Sequence, residues 1–430
     1  MTAALPSAEL LEHSGSGPAY VYELDEVRAA YRDLRAALPE PSRIYYSLKA
    51  NPHPAVAAEL QLLGCRAEVT SAGELRSALN AGYRADACLY TGPAKQPAEV
   101  EYALGQGVRF YSVDSPSQLR LVAEAAGEHG TRVRVLLRVN PDQPPTGTSL
   151  AMTGEPSQFG ADAAWVLSQP QDFAPTPWCD VQGFHLFVGT NISDPGDLLA
   201  TFESTIRLAA KLTAAHGDRP QVIDLGGGFG HPFAQAGQRP RFTGIRENLS
   251  GLLDECLPGW RQGRPQIAFE SGRYLVGAAG TLLCTVRDVK KSKGRTFVIL
   301  DSGIHHLGGM SGLRRVPRIT PTLAPAAGLD DSAAPGEPAA DGATPAAQPD
   351  CDIVGPLCTP LDSWARGVTL PRRHRSGDVV AVPNVGAYGL TGSLVGFLSH
   401  DPPAEIITDR GRPQEISRLH LRRERRPLPS

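Results

Sequence analysis

The residue of this sequence best suited to covalent chemistry is Lys49, which ends the run Arg-Ile-Tyr-Tyr-Ser-Leu-Lys at residues 43–49. The run is mostly aromatic and aliphatic, and Asn51-Pro52 follows it. The pattern therefore predicts a strand that carries Lys49 at its C-terminal end, and then a turn. A single lysine at a strand end is usually solvated, whereas a buried lysine with a lowered pKa can form a Schiff base with a carbonyl cofactor. This run alone leaves both interpretations open.

A run of glycines at 226–228, within Asp-Leu-Gly-Gly-Gly-Phe-Gly, directly follows a strand-like run. Successive glycines let backbone N–H groups approach a phosphate closely. The spacing is not Gly-x-Gly-x-x-Gly and no Gly-Lys-Ser/Thr follows, so the sequence supports neither a dinucleotide fingerprint nor a Walker loop. A flexible turn without a ligand is the alternative interpretation.

Two further strand ends carry candidate groups. In Glu-Ser-Gly-Arg, the Glu270 carboxylate could keep a ring nitrogen protonated and Arg273 could bind a phosphate as a fork, or the two could form a structural ion pair. His185 and Phe187 are two residues apart and so share a strand face, and Thr190 lies in the loop that follows. A flat side chain on that face could stack on a planar cofactor or simply fill a core.

Eight strand-like runs alternate with Ala-, Leu- and Glu-rich stretches of helical character. The runs are 43–49, 66–70, 88–91, 108–113, 132–139, 181–188, 221–225 and 266–269. Eight β/α units predict a TIM (β/α)8 barrel; an open doubly wound sheet is the alternative, and the count of eight favours the barrel. Function in such a barrel lies at the C-terminal strand ends, which also brings Glu68 and Arg138 to the candidate site.

After Glu270 the pattern changes, because the strand-like runs 281–289, 296–301, 378–383 and 405–408 have no helices between them. They predict a second, all-β domain, which the early run 19–24 would join. We expect a barrel domain at 25–275 and a β domain formed by 1–24 and 276–430. Residues 321–350 are rich in Pro, Ala and Gly, and we expect them to be disordered and without chemistry.

The bulk composition excludes several classes of protein. The chain has 430 residues, enough for two domains, with 41% hydrophobic and 20% charged residues. A formal net charge of -3 gives no attraction to nucleic acid, and no apolar run has the length of a membrane span. The cysteines are scattered, and no CxxC or HExxH motif indicates a metal site. No signal peptide is evident, so a cytoplasmic protein with reduced thiols is expected.

Together these pieces resemble the fold-type III, pyridoxal-phosphate-dependent amino-acid decarboxylases, which include ornithine, arginine and diaminopimelate decarboxylases. The similarity runs from about residue 19 to about 410, except for 321–350. Five motifs occur in the family's order: Tyr-Ser-Leu-Lys-Ala-Asn-Pro, Gly-Gly-Gly-Phe-Gly, Glu-x-Gly-Arg, Gly-Pro-Leu-Cys and Gly-Ala-Tyr-Gly. The resemblance implies pyridoxal 5'-phosphate as the cofactor. It also implies a homodimer with shared active sites, because Cys358 resembles a thiol that the family lends to the neighbouring subunit.

The resemblance also implies residue roles. Lys49 matches the Schiff-base lysine, Glu270 the partner of the pyridine nitrogen, and Cys358 a catalytic thiol. Glu68 matches an acid close to the lysine, and Arg138 an arginine near the cofactor. The remaining implied cofactor contacts are His185, Phe187, Thr190, Gly227, Gly228, Arg273 and Tyr388.

Two departures from the family bear on the substrate. Phe187 stands where the family stacks a histidine on the ring, and His185 lies one strand repeat away. After Cys358, Thr359-Pro360 replaces the acidic residue that recognises a distal ammonium, which disfavours diamine-type substrates. The run Cys-Thr-Pro-Leu-Asp and the pair His305-His306 are similar to the butirosin-type decarboxylase subgroup, which acts on glutamate tethered to an acyl carrier protein. The predicted substrate-binding residues are therefore Cys358, Thr359 and Asp362.

An acidic aminoacyl group on a carrier protein is thus the predicted substrate, with a decarboxylase of a free diaminopimelate- or ornithine-type amino acid as the alternative. An amino-acid racemase on a similar barrel would place an arginine, not Glu270, against the ring nitrogen. A non-enzymatic cofactor carrier would need neither the β domain nor Cys358 and Tyr388. Two arginine groups, 314–318 and 372–375, could meet an acidic carrier protein or simply be solvated, and the basic tail 422–426 is expected to be solvated.

Overall fold

The computed structural model describes residues 6, 8–15, 17–142, 150–151, 154, 156–187, 189–216, 220–308, 320–327 and 347–425. The chain divides into two compact units. One consists of Val27–His231 and Gln238–Val276, and the other of Met1–Glu26, Pro232–Gly237 and Gly277–Ser430.

The first unit is a closed barrel of parallel strands. In order along the chain these are Ser42–Ser47, Arg66–Val69, Cys88–Tyr90, Phe110–Val113, Val133–Asn140, Cys179–His185, Val222–Asp224 and Gln266–Ser271. Each strand pairs with the next, and the eighth pairs with the first, where Ser271 lies opposite Tyr46. The predicted TIM barrel is therefore confirmed, and the open doubly wound sheet is excluded.

Helices connect the barrel strands. They are Leu24–Ala37, Pro54–Leu62, Ala72–Asn80, Pro97–Gly105, Pro116–Glu128, Ala163–Ser168, Pro195–His216, Ile245–Cys256 and Arg273–Val276. Serine side chains begin two of them, since Ser71 Oγ accepts a hydrogen bond from the Glu74 N–H at 3.1 Å and Ser115 Oγ accepts one from the Gln118 N–H at 3.3 Å. Such caps satisfy donors that the helix itself leaves open, so each helix can start within two residues of a strand end.

The barrel interior is filled by side chains from alternate positions of the strands. One buried cluster joins residues from six strands: Tyr45, Leu89, Phe110, Leu136, Val222 and Ala268. Burial of these apolar groups is the main favourable term that holds the barrel closed.

The second unit contains a mostly antiparallel sheet and a short N-terminal helix, Leu10–His13. The strands are Ala19–Glu23, Gly280–Ser292, Arg295–Leu300, Ala324–Pro325, Gln348–Val354, Ser363–Leu370, Val379–Val382, Ala404–Asp409 and Arg412–Arg418. The early strand Ala19–Glu23 lies between Gly280–Ser292 and Ala404–Asp409. In the described chain, no helix has the length and apolar character that crossing a lipid bilayer requires.

Four strands of this sheet were absent from the sequence prediction: Ala324–Pro325, Gln348–Val354, Ser363–Leu370 and Arg412–Arg418. Two of them, Ser363–Leu370 and Arg412–Arg418, are the outermost strands of the sheet. An edge strand needs no apolar face on its open side, so the alternation that marks a strand is weak there.

The Pro- and Ala-rich segment 321–350 also differs from its prediction. Ala324–Pro325 pairs with residues 380–381, and Gln348–Val354 begins inside the segment, so disorder is wrong for both of its ends. These short pairings rest on backbone hydrogen bonds, which composition does not reveal. Residues 328–346 lie outside the described residues.

Leu89→Ala should destabilise the barrel, because it removes a fully buried side chain from the interior cluster. We expect a loss of about 2–5 kcal/mol in the free energy of unfolding. Leu62→Ala is the matched control, since Leu62 is 77% exposed and should change stability by less than about 0.5 kcal/mol. Urea unfolding followed by circular dichroism at helical wavelengths would measure both, and equal losses would contradict the interior assignment.

Candidate active site

Lys49 lies just beyond the first barrel strand, in the 3-10 turn Leu48–Ala50. The predicted strand thus ends two residues early, at Ser47. Leu48 and Ala50 are buried, whereas the Lys49 side chain is 36% exposed. Its Nζ lies 3.3 Å from Glu68 Oε2 and 5.7 Å from the centre of the Phe187 ring. The amine is therefore held at the strand ends while remaining within reach of a ligand.

Glu68 is the acid that faces Lys49, and its side chain is only 2% exposed. Its Oε1 accepts a hydrogen bond from the Thr91 hydroxyl at the end of the third strand. Burial acts to raise the pKa of Glu68, but the Lys49 ammonium and the hydrogen bonds from Thr91 and Ser47 outweigh it and lower that pKa. Glu68 is therefore a charged carboxylate, although it is buried.

Glu270 and His185 form a second buried pair on neighbouring parts of the barrel rim. Glu270 Oε1 lies 3.3 Å from His185 Nε2, and the other imidazole nitrogen, Nδ1, is 2.8 Å from the Ser112 hydroxyl. Burial, together with the charge of Glu68, raises the pKa of Glu270 well above its usual range. Burial and the Arg138 cation lower the pKa of His185. Burial thus favours the uncharged form of both groups, a protonated acid at Glu270 and a neutral imidazole at His185.

Asp224 completes this cluster, and it was not among the predicted site residues. Its Oδ1 accepts a hydrogen bond from the Gly226 N–H at 2.9 Å. Burial raises the pKa of Asp224 to about 7. Ligand atoms of His185, Asp224 and Glu270 lie within 4.8 Å of one another, a spacing that a cation could use. The Lys49 and Arg138 cations act on all three groups and disfavour a metal ion there.

The glycine turn packs against both neighbouring strand ends. Gly226 and Gly228 have φ angles of +68° and +99°, which favour glycine. A Cβ at Gly227 would collide with the Glu270 carbonyl oxygen, and one at Gly228 would lie 3.1 Å from the Gly189 carbonyl oxygen. The turn therefore passes too close to Glu270 for any larger residue.

Phe187 lies between two cations. The Arg138 guanidinium carbon is 5.8 Å from the centre of the Phe187 ring and 4.7 Å from that of Phe159. Arg138 is buried, and its Nε lies 4.0 Å from Asp114 Oδ1. The aromatic face of Phe187 can hold a flat ligand while the flanking charges attract an anionic one.

Lys95 is a buried amine that the sequence prediction missed. Its Nζ donates hydrogen bonds to the Gly92 carbonyl oxygen at 2.8 Å and to Gln118 Oε1 at 3.1 Å. Burial lowers the pKa of Lys95 to about 8, although Asp114 opposes the shift. The position of Lys95 in the sequence could have indicated a site residue, because Lys95 follows the C-terminal end of the third barrel strand by five residues, after Gly92-Pro93.

The remaining predicted barrel residues also lie at strand ends. Thr190 belongs to the short strand Gly189–Thr190, which pairs with Leu150–Ala151. Arg273 begins the helix that follows the eighth strand. The structure therefore brings Lys49 together with Glu68 and Phe187, and Glu270 with His185.

In the β unit, Cys358 is exposed in the turn 357–362. Asp362 is buried, and its two carboxylate oxygens accept hydrogen bonds from the Leu357 N–H at 2.8 Å and the Ile304 N–H at 2.9 Å. The Thr359 N–H donates to the Leu357 carbonyl oxygen at 2.7 Å. Asp362 thus fixes the turn that carries Cys358. The substrate-binding role of Asp362 stays a prediction.

Tyr388 has a φ angle of +56°, an unfavourable left-handed conformation for a bulky residue. The backbone around it is crowded: a Cβ at Gly389 would collide with the Val385 carbonyl oxygen, and Gly386 passes close to Gly280. Such a strained conformation persists only where its surroundings fix it, and it commonly marks a functional position.

The barrel residues fit a phosphorylated pyridine aldehyde. Lys49 offers a half-exposed primary amine, and the glycine turn offers a backbone surface that side chains leave open. Glu270 Oε1 is buried and forms no hydrogen bond among the described residues, although it lies 3.3 Å from His185 Nε2. A protonated acid in that place can pair with a ring nitrogen.

Comparison with known proteins agrees with this chemistry. Residues 24–277 match the family model described as pyridoxal-dependent decarboxylase, pyridoxal binding domain. An L-glutamyl-(BtrI acyl-carrier protein) decarboxylase of Niallia circulans is 33% identical over 404 residues, 93% of this chain and 91% of the relative. A diaminopimelate decarboxylase of Methanothermobacter thermautotrophicus is 32% identical over 94% of this chain and 90% of its own.

The chain therefore belongs to the pyridoxal-dependent decarboxylases, as the sequence resemblance predicted. It is a carboxy-lyase whose cofactor is pyridoxal 5'-phosphate. The fold agrees: a crystal structure of diaminopimelate decarboxylase from Helicobacter pylori complexed with L-lysine matches with a TM-score of 0.76 and 24% identity, covering 95% of each chain.

Asp224→Asn should flatten the pH dependence of stability of the cofactor-free protein. The folded pKa of Asp224, about 7, exceeds that of an unfolded aspartate, about 3.9. Its contribution to stability is therefore full below pH ~4 and is lost as the pH rises through ~7. In this window the wild-type free energy of unfolding should fall by up to about 1.4 kcal/mol per pH unit more than that of the variant.

Urea unfolding at a series of pH values measures this difference. Asp288→Asn, at an exposed position, is the control and should keep the wild-type slope. Equal slopes for Asp224→Asn and wild type would show that Asp224 is ionised in the folded protein.

Proposed function

We propose that this protein removes the α-carboxylate of an acidic aminoacyl group, aspartyl or glutamyl, that is tethered to an acyl carrier protein in natural-product biosynthesis. The relative from Niallia circulans, whose name gives it this kind of substrate, supports the proposal. Thr359-Pro360 supports it too, because a neutral pair offers no carboxylate to a distal ammonium. At the site, the observation that carries decarboxylation is Glu270, a buried acid with a raised pKa.

The proposed cofactor contacts follow from these properties. Lys49 would hold the cofactor's aldehyde carbon through its amine, and Glu270 would face the pyridine nitrogen. His185 and Phe187 would border the ring. The phosphate would lie against small, hydroxyl and cationic groups of the barrel: Thr190, Gly227, Gly228 and Arg273.

When bound, pyridoxal phosphate supplies an electron sink for the electron pair that the departing carbon dioxide leaves behind. Glu270 would share its proton with the ring nitrogen that it faces and so keep that nitrogen protonated, because burial disfavours an isolated charge on the Glu270 carboxylate. Glu68 holds the Lys49 ammonium by charge, since its own pKa is lowered. The Cys358 thiol, which is exposed on its turn, or a water would donate a proton to the substrate carbon that loses the carboxylate.

The proposed active unit is a homodimer. Cys358 would reach the barrel of the neighbouring subunit, and Asp362 would fix the direction of the turn that carries the thiol. Exposed Leu361 lies beside this turn, and an apolar side chain in that place is suited to a subunit contact.

A second candidate is the decarboxylation of a free amino acid of the diaminopimelate type, which the 32% identical relative favours. A screen of carbon dioxide release separates the two. The substrates are free aspartate, glutamate, ornithine, lysine and diaminopimelate, beside aspartyl- and glutamyl-carrier proteins. We expect release from the carrier-bound acids; turnover confined to free diaminopimelate would replace the proposal by the alternative.

Lys49→Ala should abolish the visible absorbance band of the bound cofactor and reduce carbon dioxide release by at least about 10³-fold, because the primary amine is lost. Lys290→Ala, at an exposed lysine of the β unit, is the control and should retain both. A Lys49→Ala protein with the band and full turnover would rule out the proposed role.

Complementation tests the shared site. Lys49→Ala and Cys358→Ala subunits, each nearly inactive alone, should regain about a quarter of wild-type activity when co-expressed in equal amounts. Half of the dimers are then mixed, and each mixed dimer has one intact site. Activity no higher than the mean of the two parents would show that each subunit supplies its own thiol.

A further inference from the structure

A cavity of about 530 Å³ lies in the β unit, between the loop 395–402 and the chain that follows the last strand. Two imidazoles and two guanidinium groups line it, from His400, His420, Arg422 and Arg423, together with the single carboxylate of Asp401. The segment 418–425 contains four arginines and one glutamate. The lining therefore favours an anionic occupant, although the whole chain has a net charge of -3.

The wall of the cavity is held in place from the core of the unit. His306 Nε2 donates a hydrogen bond to the Asp401 carbonyl oxygen at 3.1 Å, and the His306 carbonyl oxygen accepts one from the Tyr20 hydroxyl at 2.7 Å. Leu398 and Ser399 have φ angles of 55° and 58°, two successive left-handed residues that are not glycine. A loop that is both anchored and strained has a fixed shape, which is typical of a binding surface.

Apolar side chains are exposed on the same two segments. Leu394, Phe397 and Leu398 of the loop are 46%, 43% and 51% exposed, and Leu419 and Leu421 of the C-terminal segment are 42% and 67% exposed. Five large apolar side chains beside a cationic cavity form a surface with an apolar part and a basic part. Such a surface matches an amphipathic, acidic protein element rather than a small anion alone.

The cavity also neighbours the thiol turn. The ring centres of His400 and His305 are 5.0 Å apart, and the N–H of Ile304, the residue before His305, donates a hydrogen bond to Asp362 Oδ1 at 2.9 Å. Asp362 in turn holds the Leu357 N–H beside Cys358. A partner seated at His400 therefore lies beside the residues that hold the thiol turn.

We propose that this surface, formed by the cationic cavity and the five exposed apolar side chains, docks the acidic face of the acyl carrier protein. The inference rests on the proposed function and names where its carrier binds. Acidic side chains of the carrier would pair with Arg422 and Arg423, while its apolar side chains would cover Phe397 and Leu421. Docking there would hold the tethered aminoacyl group near Cys358.

A second copy of this chain is a poorer occupant. In a two-fold symmetric contact the same patch meets itself, so the arginines of one copy would face those of the other. The arginine group at 372–375 lies on a different segment, and residues 314, 315 and 318 lie outside the described part of the chain. The described arginines at 372–375 are not among the residues that line the cavity.

The test compares the holoenzymes of two double variants. The arginine variant carries both Arg422→Glu and Arg423→Glu. The matched control carries both Lys290→Glu and Lys291→Glu, at two exposed lysines of the same unit. The substrates are the glutamyl- or aspartyl-carrier protein and the corresponding pantetheine thioester, which has no protein face. The arginine variant should raise the ratio of the carrier KM to the thioester KM about ten-fold or more, and the control should leave it unchanged. Added salt should raise this ratio for wild type and much less for the arginine variant.

Three results would overturn the docking surface while leaving the proposed function intact. The first is an unchanged ratio in the arginine variant when wild type turns over the carrier substrate. The second is an equal rise in both KM values, which would place the arginines at the small-molecule site. The third is dissociation of the variant's dimer in light scattering, which would assign the surface to a second copy. A wild-type enzyme inactive on every carrier substrate would remove the proposed function and this inference with it.

Discussion

The electrostatics of the barrel rim depend on which of three buried carboxyl groups are ionised. Glu68, Asp224 and Glu270 are all almost fully buried, but only Glu68 has a lowered pKa, because Lys49 and Thr91 satisfy its charge. The charge of Glu68 then helps burial to raise the pKa values of Asp224 and Glu270. Burial, reinforced by the charge of Glu68, therefore favours the neutral acid at Glu270, while the ion pair with Lys49 keeps Glu68 charged.

Backbone geometry makes this cluster compact. The Glu270 N–H donates a hydrogen bond to the Gly226 carbonyl oxygen at 2.7 Å, and the Gly226 N–H binds Asp224. A side chain at Gly227 would collide with the Glu270 carbonyl oxygen and so disturb the packing around both contacts. The glycines thus serve the packing of two adjacent strand ends, and the surface open to a phosphate results from the same packing.

The β unit uses buried polar groups for a different purpose. Both carboxylate oxygens of Asp362 accept hydrogen bonds from backbone N–H groups, and these bonds fix the turn that exposes the Cys358 thiol. His305 and His306, whose rings lie 3.6 Å apart, are buried, and His306 anchors the loop that carries His400. Burial lowers the pKa of His306 to about 3, so it remains neutral. In this unit, the buried polar groups fix the shape of the turn and the loop, and the exposed groups on them are available to bind a partner.

The sequence by itself determined the barrel, the family, the cofactor and the positions of Lys49, the glycine turn and Glu270, because strand periodicity and turn residues are local properties. It did not reveal Lys95 or Asp224 as buried ionisable groups, nor the polar edge strands such as Arg412–Arg418. It also did not reveal that the Asp362 carboxylate holds a turn, whereas the substrate-binding role of Asp362 stays a prediction. Only the tertiary structure could decide these points, since burial, ionisation and edge pairing depend on residues that are distant in the chain.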